Sequence, residues 1–181
     1  MYFTKIIDDD EMNNEMLDYI ENSSFDKSPN GIFSGEVLLD DDKSSQFAKL
    51  KKYIEKFCKE KTREVLEYPD NGYKNFTKLE KLYVHQTHVR NMKCINLWVT
   101  RSVSGNYITP HHHWPHVWGF TYYLNPPRGA SGLYFPNHEE EVKLQHGLLI
   151  LFKGDELHET KPSTYEGYRY CIAGNLMPVI Q

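Results

Sequence analysis

From Met92 to Ala173 the chain breaks into short β-type runs parted by Gly, Pro, Asn and Asp, and this rhythm limits the fold more than any other feature. Residues 92–103, 107–113, 116–124, 132–135, 147–152 and 168–173 each read as a strand, with a shorter candidate at Leu82-Tyr83-Val84. Short strands recurring with turn residues between them predict an all-β sandwich or jelly roll. The period changes to β at about Lys81; before it the pattern is mainly helical. Asp8-Asp9-Asp10 caps a helix through about Asn22 that carries Met12, Met16, Tyr19 and Ile20 on one face. Ser44 or Ser45 caps a second helix, through about Tyr68, with Phe47, Leu50, Ile54, Phe57, Cys58 and Val65 at helical spacing. That stripe reads as core, and Pro69-Asp70-Asn71-Gly72 ends the helix. Strands are expected at residues 2–7 and 36–39, and a loop at 23–35. The expected fold is α+β, mainly β, in a single domain over residues 1–181: residues 1–80 form a helical support and 81–181 the β core.

Composition narrows the function classes. The net charge is −4 with acids and bases interspersed, so no basic stripe suggests nucleic acid. No apolar run approaches the roughly 20 residues of a membrane span. The first ten residues end in three aspartates and lack a cationic region, unlike a secretory leader. Cys58, Cys94 and Cys171 are odd in number and widely spaced, which fits reduced thiols in a cytoplasmic protein.

Seven of the nine histidines lie in the second half of the chain, four of them in Pro110-His111-His112-His113-Trp114-Pro115-His116. Neutral imidazole is the commonest metal ligand among side chains. On a strand, residues i and i+2 share a face, so His111 and His113 point together and His112 points away. His116 does not share that face, but Pro115 can bend the chain there, and its role stays open. Two histidines leave a site incomplete. His85, His88, His138, His146 and His158 are the candidates to close it. His158 is the best placed, because it follows the buried run Leu148–Phe152 and the turn Lys153-Gly154-Asp155, where an antiparallel return brings a late strand beside an early one. His111, His113 and His158 would form a facial set with open positions on an octahedral ion. The other four read as surface or core histidines. Trp114 and Trp118 either line a pocket or pack in the core; Arg101 reads as a surface arginine and Glu139-Glu140-Glu141 as a solvated loop.

A wider set of motifs carries a resemblance: His111-x-His113, Tyr122-Tyr123-Leu124-Asn125, Ser131-Gly132-Leu133-Tyr134-Phe135-Pro136, Gly147-x-Leu149-Ile150-Leu151-Phe152, His158-Glu159-x-x-Pro162 and Arg169-Tyr170-x-Ile172. In order and spacing, from about Met92 to Leu176, the chain resembles the Fe(II)/2-oxoglutarate-dependent oxygenases, in the branch of the prolyl-4-hydroxylase-type and small phage and bacterial members. The resemblance implies a double-stranded β-helix (a cupin-like jelly roll) braced by the N-terminal helices. It implies Fe(II) on His111, His113 and His158, and 2-oxoglutarate as co-substrate, its C5 carboxylate held by Arg169 and Tyr123. It also implies hydroxylation of an unactivated C–H bond in an amino-acid, peptidyl or small-molecule substrate, with release of succinate and CO2. One position departs from the family pattern: His113 stands where an Asp or Glu is usual. Three neutral donors leave the metal one charge unit more positive, which is expected to raise its reduction potential. Two other readings compete. Gly105-x5-His111-x-His113 with Gly154-Asp155-x-x-His158 resembles the cupin motifs, without the usual glutamate, and implies a three-histidine dioxygenase or isomerase that does not use 2-oxoglutarate. A non-enzymatic jelly roll holding Zn²⁺ or Ni²⁺ is the third.

Overall fold

A computed structural model describes residues 1–25, 35–38, 45–67 and 77–179. The elements in chain order are β1 (Tyr2–Ile6), α1 (Asp10–Glu21), β2 (Gly35–Leu38), α2 (Ser45–Glu67), α3 (Lys78–Val84) and a π-helical turn His85–Arg90. There follow β3 (Met92–Ser102), β4 (Ile108–His111), β5 (Trp118–Leu124), β6 (Leu133–Phe135), β7 (Glu140–Val142), β8 (Leu148–Lys153), β9 (His158–Thr160) and β10 (Arg169–Pro178). The 69–72 turn and most of the 23–35 loop lie outside the described residues.

The strands from β3 onward pair from the outside in: β3 with β10, β4 with β9, β5 with β8 and β6 with β7, all antiparallel. This is one long hairpin coiled on itself, a double-stranded β-helix. It lays down a larger sheet in the order β1-β8-β5-β10-β3-β2 and a smaller one in the order β4-β9-β6-β7. The first 80 residues therefore supply both edge strands of the larger sheet as well as helices.

Alternation on the central strands sorts side chains between two cores. Leu97, Val99, Phe120, Tyr122, Leu149, Leu151, Tyr170 and Ile172 face the helices, where they meet Met12, Met16 and Ile20 of α1 and Phe47, Leu50, Ile54, Phe57 and Cys58 of α2. Leu133, Phe135, Leu148, Ile150 and Phe152 face the space between the sheets, as do Tyr123, Cys171 and Ala173. Each such fully buried large side chain contributes roughly 1.5–3 kcal/mol of transfer free energy. Asp9 caps α1 by accepting from the Met12 amide at 3.2 Å, as its position before the apolar stripe predicts. Tyr19 is not part of the buried face; it stays exposed and meets Phe47 edge-on.

Fully buried Asn13 ties α1 to the sheet. Its Oδ1 accepts from the Tyr122 hydroxyl at 2.5 Å, and its amide donates to the Ile7 carbonyl at 3.3 Å. Tyr122→Phe keeps the ring and leaves Asn13 Oδ1 without its donor, so it is expected to lower the unfolding free energy by about 1–3 kcal/mol. Urea denaturation with an unchanged slope against denaturant checks this.

Two expected elements are corrected. Leu82-Tyr83-Val84 is not a strand: it ends α3, which Thr77 and Glu80 start as a capping box. The Thr77 hydroxyl accepts from the Glu80 amide, and the Glu80 carboxylate accepts from the Thr77 amide. The acidic run is not wholly loop, because Glu140 and Glu141 belong to β7 and pair with Phe135 and Tyr134. Among the described residues no helix is long and apolar enough to cross a membrane.

Candidate metal centre

The nested pairing brings the distant histidine to the cluster. His111, at the end of β4, is the register partner of His158, at the start of β9. His113 lies beyond the end of β4, so strand alternation alone does not aim it. Its amide donates to the Gly154 carbonyl at 2.7 Å, and the Gly154 amide donates to the Val117 carbonyl at 2.9 Å. That approach requires glycine, since a Cβ on Gly154 would fall 1.7 Å from the His116 carbonyl oxygen.

The donor nitrogens of His111, His113 and His158 lie within 4.8 Å of one another. The ring centroids are 4.3 Å apart for His111 and His158, and 5.0 Å for His113 and His158. Each ring is anchored through Nδ1. His111 Nδ1–H donates to the Thr109 carbonyl at 2.9 Å, His158 Nδ1–H to the Glu156 carbonyl at 2.9 Å, and His113 Nδ1 meets Asn175 Oδ1 at 2.5 Å. An oxygen acceptor on Nδ1 leaves the lone pair on Nε2, the arrangement that metal-binding imidazoles adopt. Burial, reinforced by the neighbouring imidazoles, pulls the His158 pKa down to about 2. Burial also lowers His113 to about 4, against the opposing pull of its hydrogen bond to Asn175. Both rings are therefore neutral donors at pH 7. A divalent cation fits this donor set.

Arg169 opens on the same cavity, with Tyr123, Trp98, Leu133 and Thr121 around it. Its side chain is buried, 3% exposed. One terminal nitrogen donates to the Ser131 carbonyl at 3.0 Å and the other to the Ser102 hydroxyl at 3.3 Å, while Nε has no partner. No carboxylate pairs with it among the described residues. A buried guanidinium normally has an anionic partner, so this one matches a ligand carboxylate such as that of 2-oxoglutarate. Tyr123 projects into the cavity from β5, and burial raises its pKa far above the usual phenol value, keeping the hydroxyl a neutral hydrogen-bonding group.

Among the described residues, the remaining histidines stay outside the group. His112 is exposed and accepts from the Trp114 amide; His116 Nδ1–H donates to the His113 carbonyl. His138 meets Glu156 and the Met1 amino group, and His146 accepts from the Asn125 amide. The His88 side chain lies outside the described residues, and His85 lies in the π-helical turn. Trp118 is core, donating to Thr62, and Trp114 is 72% exposed; neither lines the histidine cavity. Arg101 lies over the rings of Phe25 and Tyr168 at 4.4 and 5.0 Å. Sequence reasoning missed Asn175. Counting every second residue from Arg169 through Cys171 and Ala173 reaches it, but the strand expected there stopped at Ala173.

No family model matches the sequence, and no curated protein matches it. Solved structures do. A viral collagen prolyl hydroxylase from Paramecium bursaria Chlorella virus-1, in its 2-oxoglutarate complex, aligns with TM-score 0.65 at 16% identity over 99% of this chain and 96% of that one. A prolyl-4-hydroxylase from Pseudomonas putida aligns with TM-score 0.65 at 11% identity, over 99% and 93%. The fold is that of the prolyl hydroxylases. HygX from Streptomyces hygroscopicus, with nickel and 2-oxoglutarate bound, has the same fold with TM-score 0.63 at 10% identity, over 99% and 83%.

Proposed function

We propose that this chain is a non-haem Fe(II)- and 2-oxoglutarate-dependent oxygenase that hydroxylates an unactivated C–H bond of an amino-acid, peptidyl or small-molecule substrate. His111, His113 and His158 hold the iron through Nε2. Arg169 binds the distal carboxylate of 2-oxoglutarate with a fork of donors, the geometry in which guanidinium and carboxylate match best, and Tyr123 donates a further hydrogen bond to it. The bound metal and co-substrate supply the oxygen chemistry: 2-oxoglutarate and O2 yield succinate and CO2 as the substrate gains a hydroxyl. The protein's part is orientation and exclusion of water by the apolar wall of Trp98, Leu133 and Ala173.

The observation that carries this reading is Arg169, a buried cation without a carboxylate partner among the described residues, on the same cavity as three converging histidines. The all-histidine donor set favours a second reading, a cupin-type dioxygenase or isomerase, but that chemistry gives Arg169 no task. Peptidyl substrates draw support from the two neighbours named as prolyl hydroxylases.

Anaerobic addition of Fe(II) and 2-oxoglutarate is expected to produce a weak visible charge-transfer band, and admission of air to yield succinate. Neither band nor succinate from protein with Arg169 intact would remove the proposal. Metal binding without either would favour the cupin reading.

A further inference from the structure

His113 is the histidine that stands where a carboxylate is usual, and its anchor differs from the other two. His111 and His158 present Nδ1 to backbone carbonyls, which can only accept, so their tautomers follow at once. His113 presents Nδ1 to the side-chain amide of Asn175, which offers an oxygen in one orientation and an NH2 in the other. The tautomer of His113 therefore depends on what orients Asn175.

Asn96 does so. The backbone N–H of Asn175, which can only donate, points at Asn96 Oδ1 at 2.9 Å. Asn175 Nδ2 points at the same oxygen at 3.0 Å. The amide thus turns its Oδ1 to His113, which must carry its proton on Nδ1 and its lone pair on Nε2. The three adjacent strands hold this line in register: Asn175 of β10 pairs with Asn96 of β3 on one side and Gly119 of β5 on the other. Gly119 leaves room for the ring, since a Cβ there would lie 3.0 Å from His113 Nδ1 and 2.4 Å from Phe152.

We infer that Asn175, oriented by Asn96, is a positioning residue that sets His113 in its metal-binding tautomer and so adapts the site to an imidazole in the carboxylate position. The inference rests on the three-histidine metal site proposed above. A flipped Asn175 amide would offer N–H to Nδ1, move the ring proton to Nε2 and withdraw the lone pair from the metal. Asn175 is buried, whereas Asn96 is an exposed residue on β3, so the relay can be cut at Asn96 without opening the core.

The test is a long-range 1H–15N spectrum of the metal-free, 15N-labelled protein, paired with anaerobic Co(II) titration. Wild type is expected to show His113 protonated on Nδ1. Asn96→Asp retains the acceptor and is expected to keep that spectrum. Asn96→Leu and Asn175→Leu are expected to give mixed tautomers and a Co(II) affinity lower by about 10- to 100-fold, the usual effect of removing such a partner. Tautomer and affinity unchanged in Asn96→Leu would overturn the inference, whether or not Asn175→Leu folds. A wild type that binds no Co(II), or binds it as well after His113→Ala, would instead overturn the metal reading, while the spectrum of the metal-free protein still decides the relay.

Discussion

His158→Ala is expected to lose metal binding, with Fe(II) or Co(II) affinity falling by more than about 100-fold, since loss of an outer partner alone costs about 10- to 100-fold. His158 is 2% exposed, packs 4.3 Å from the Phe152 ring and is the donor that comes from the far half of the hairpin. Without it the remaining pair sits on one short segment and cannot close a facial set. Succinate formation is expected to fall to background. The metal-free variant leaves the Glu156 carbonyl without its donor and is expected to lose roughly 1–3 kcal/mol of stability. His112→Ala is the control. That ring is exposed, accepts from the Trp114 amide and stands outside the group of three, so the variant is expected to bind metal as wild type does. Anaerobic calorimetric titration separates the two variants.

Arg169→Met is expected to uncouple co-substrate from metal. On the proposed binding mode the truncated site loses the fork for the distal carboxylate, an effect of about 2–5 kcal/mol, or roughly 30- to 5,000-fold in 2-oxoglutarate affinity. Co(II) binding is expected to persist, because Arg169 touches none of the three histidines' anchors. Two stability effects oppose each other. Removing a buried guanidinium with an unpartnered Nε and no carboxylate among the described residues relieves an unfavourable burial, while the Ser131 carbonyl loses its donor, at about 1–3 kcal/mol. The ligand-free variant is therefore expected to unfold close to the wild-type temperature. Wild type at about 100 times its dissociation constant for 2-oxoglutarate gains about 2.7 kcal/mol, and the variant at the same concentration no more than about 0.9 kcal/mol. A variant that keeps the ligand-induced gain would take Arg169 out of the site.

Much of this arrangement is legible in the residues. The β rhythm from Met92 onward yields a jelly roll, and a jelly roll wound as one hairpin puts the strand of His158 beside that of His111. Local pattern could not give the end of β4. His113 owes its position to the Gly154 carbonyl rather than to strand alternation, so the two-residue spacing accounts for only part of its convergence with His111. Tyr83 and Val84 are β-type residues, yet the capping box of Thr77 and Glu80 starts a helix across them. The signal in Thr77-x-x-Glu80 outweighs the intrinsic preference of two residues. Glu140 and Glu141 look like solvated loop because acids are poor strand formers, but β7 is an edge strand, where charge is tolerated and discourages further pairing. Asn175 stayed hidden because nothing in Leu176-Met177-Pro178 announces that β10 continues.

A crystal structure of the anaerobic complex with Fe(II) and 2-oxoglutarate would decide whether the three histidines and Arg169 form one site. It is expected to show one metal ion bonded to Nε2 of His111, His113 and His158, with the distal carboxylate of 2-oxoglutarate on Arg169. An ion bound elsewhere, an aspartate or glutamate of the chain in its coordination sphere, or 2-oxoglutarate away from Arg169 would contradict that assignment.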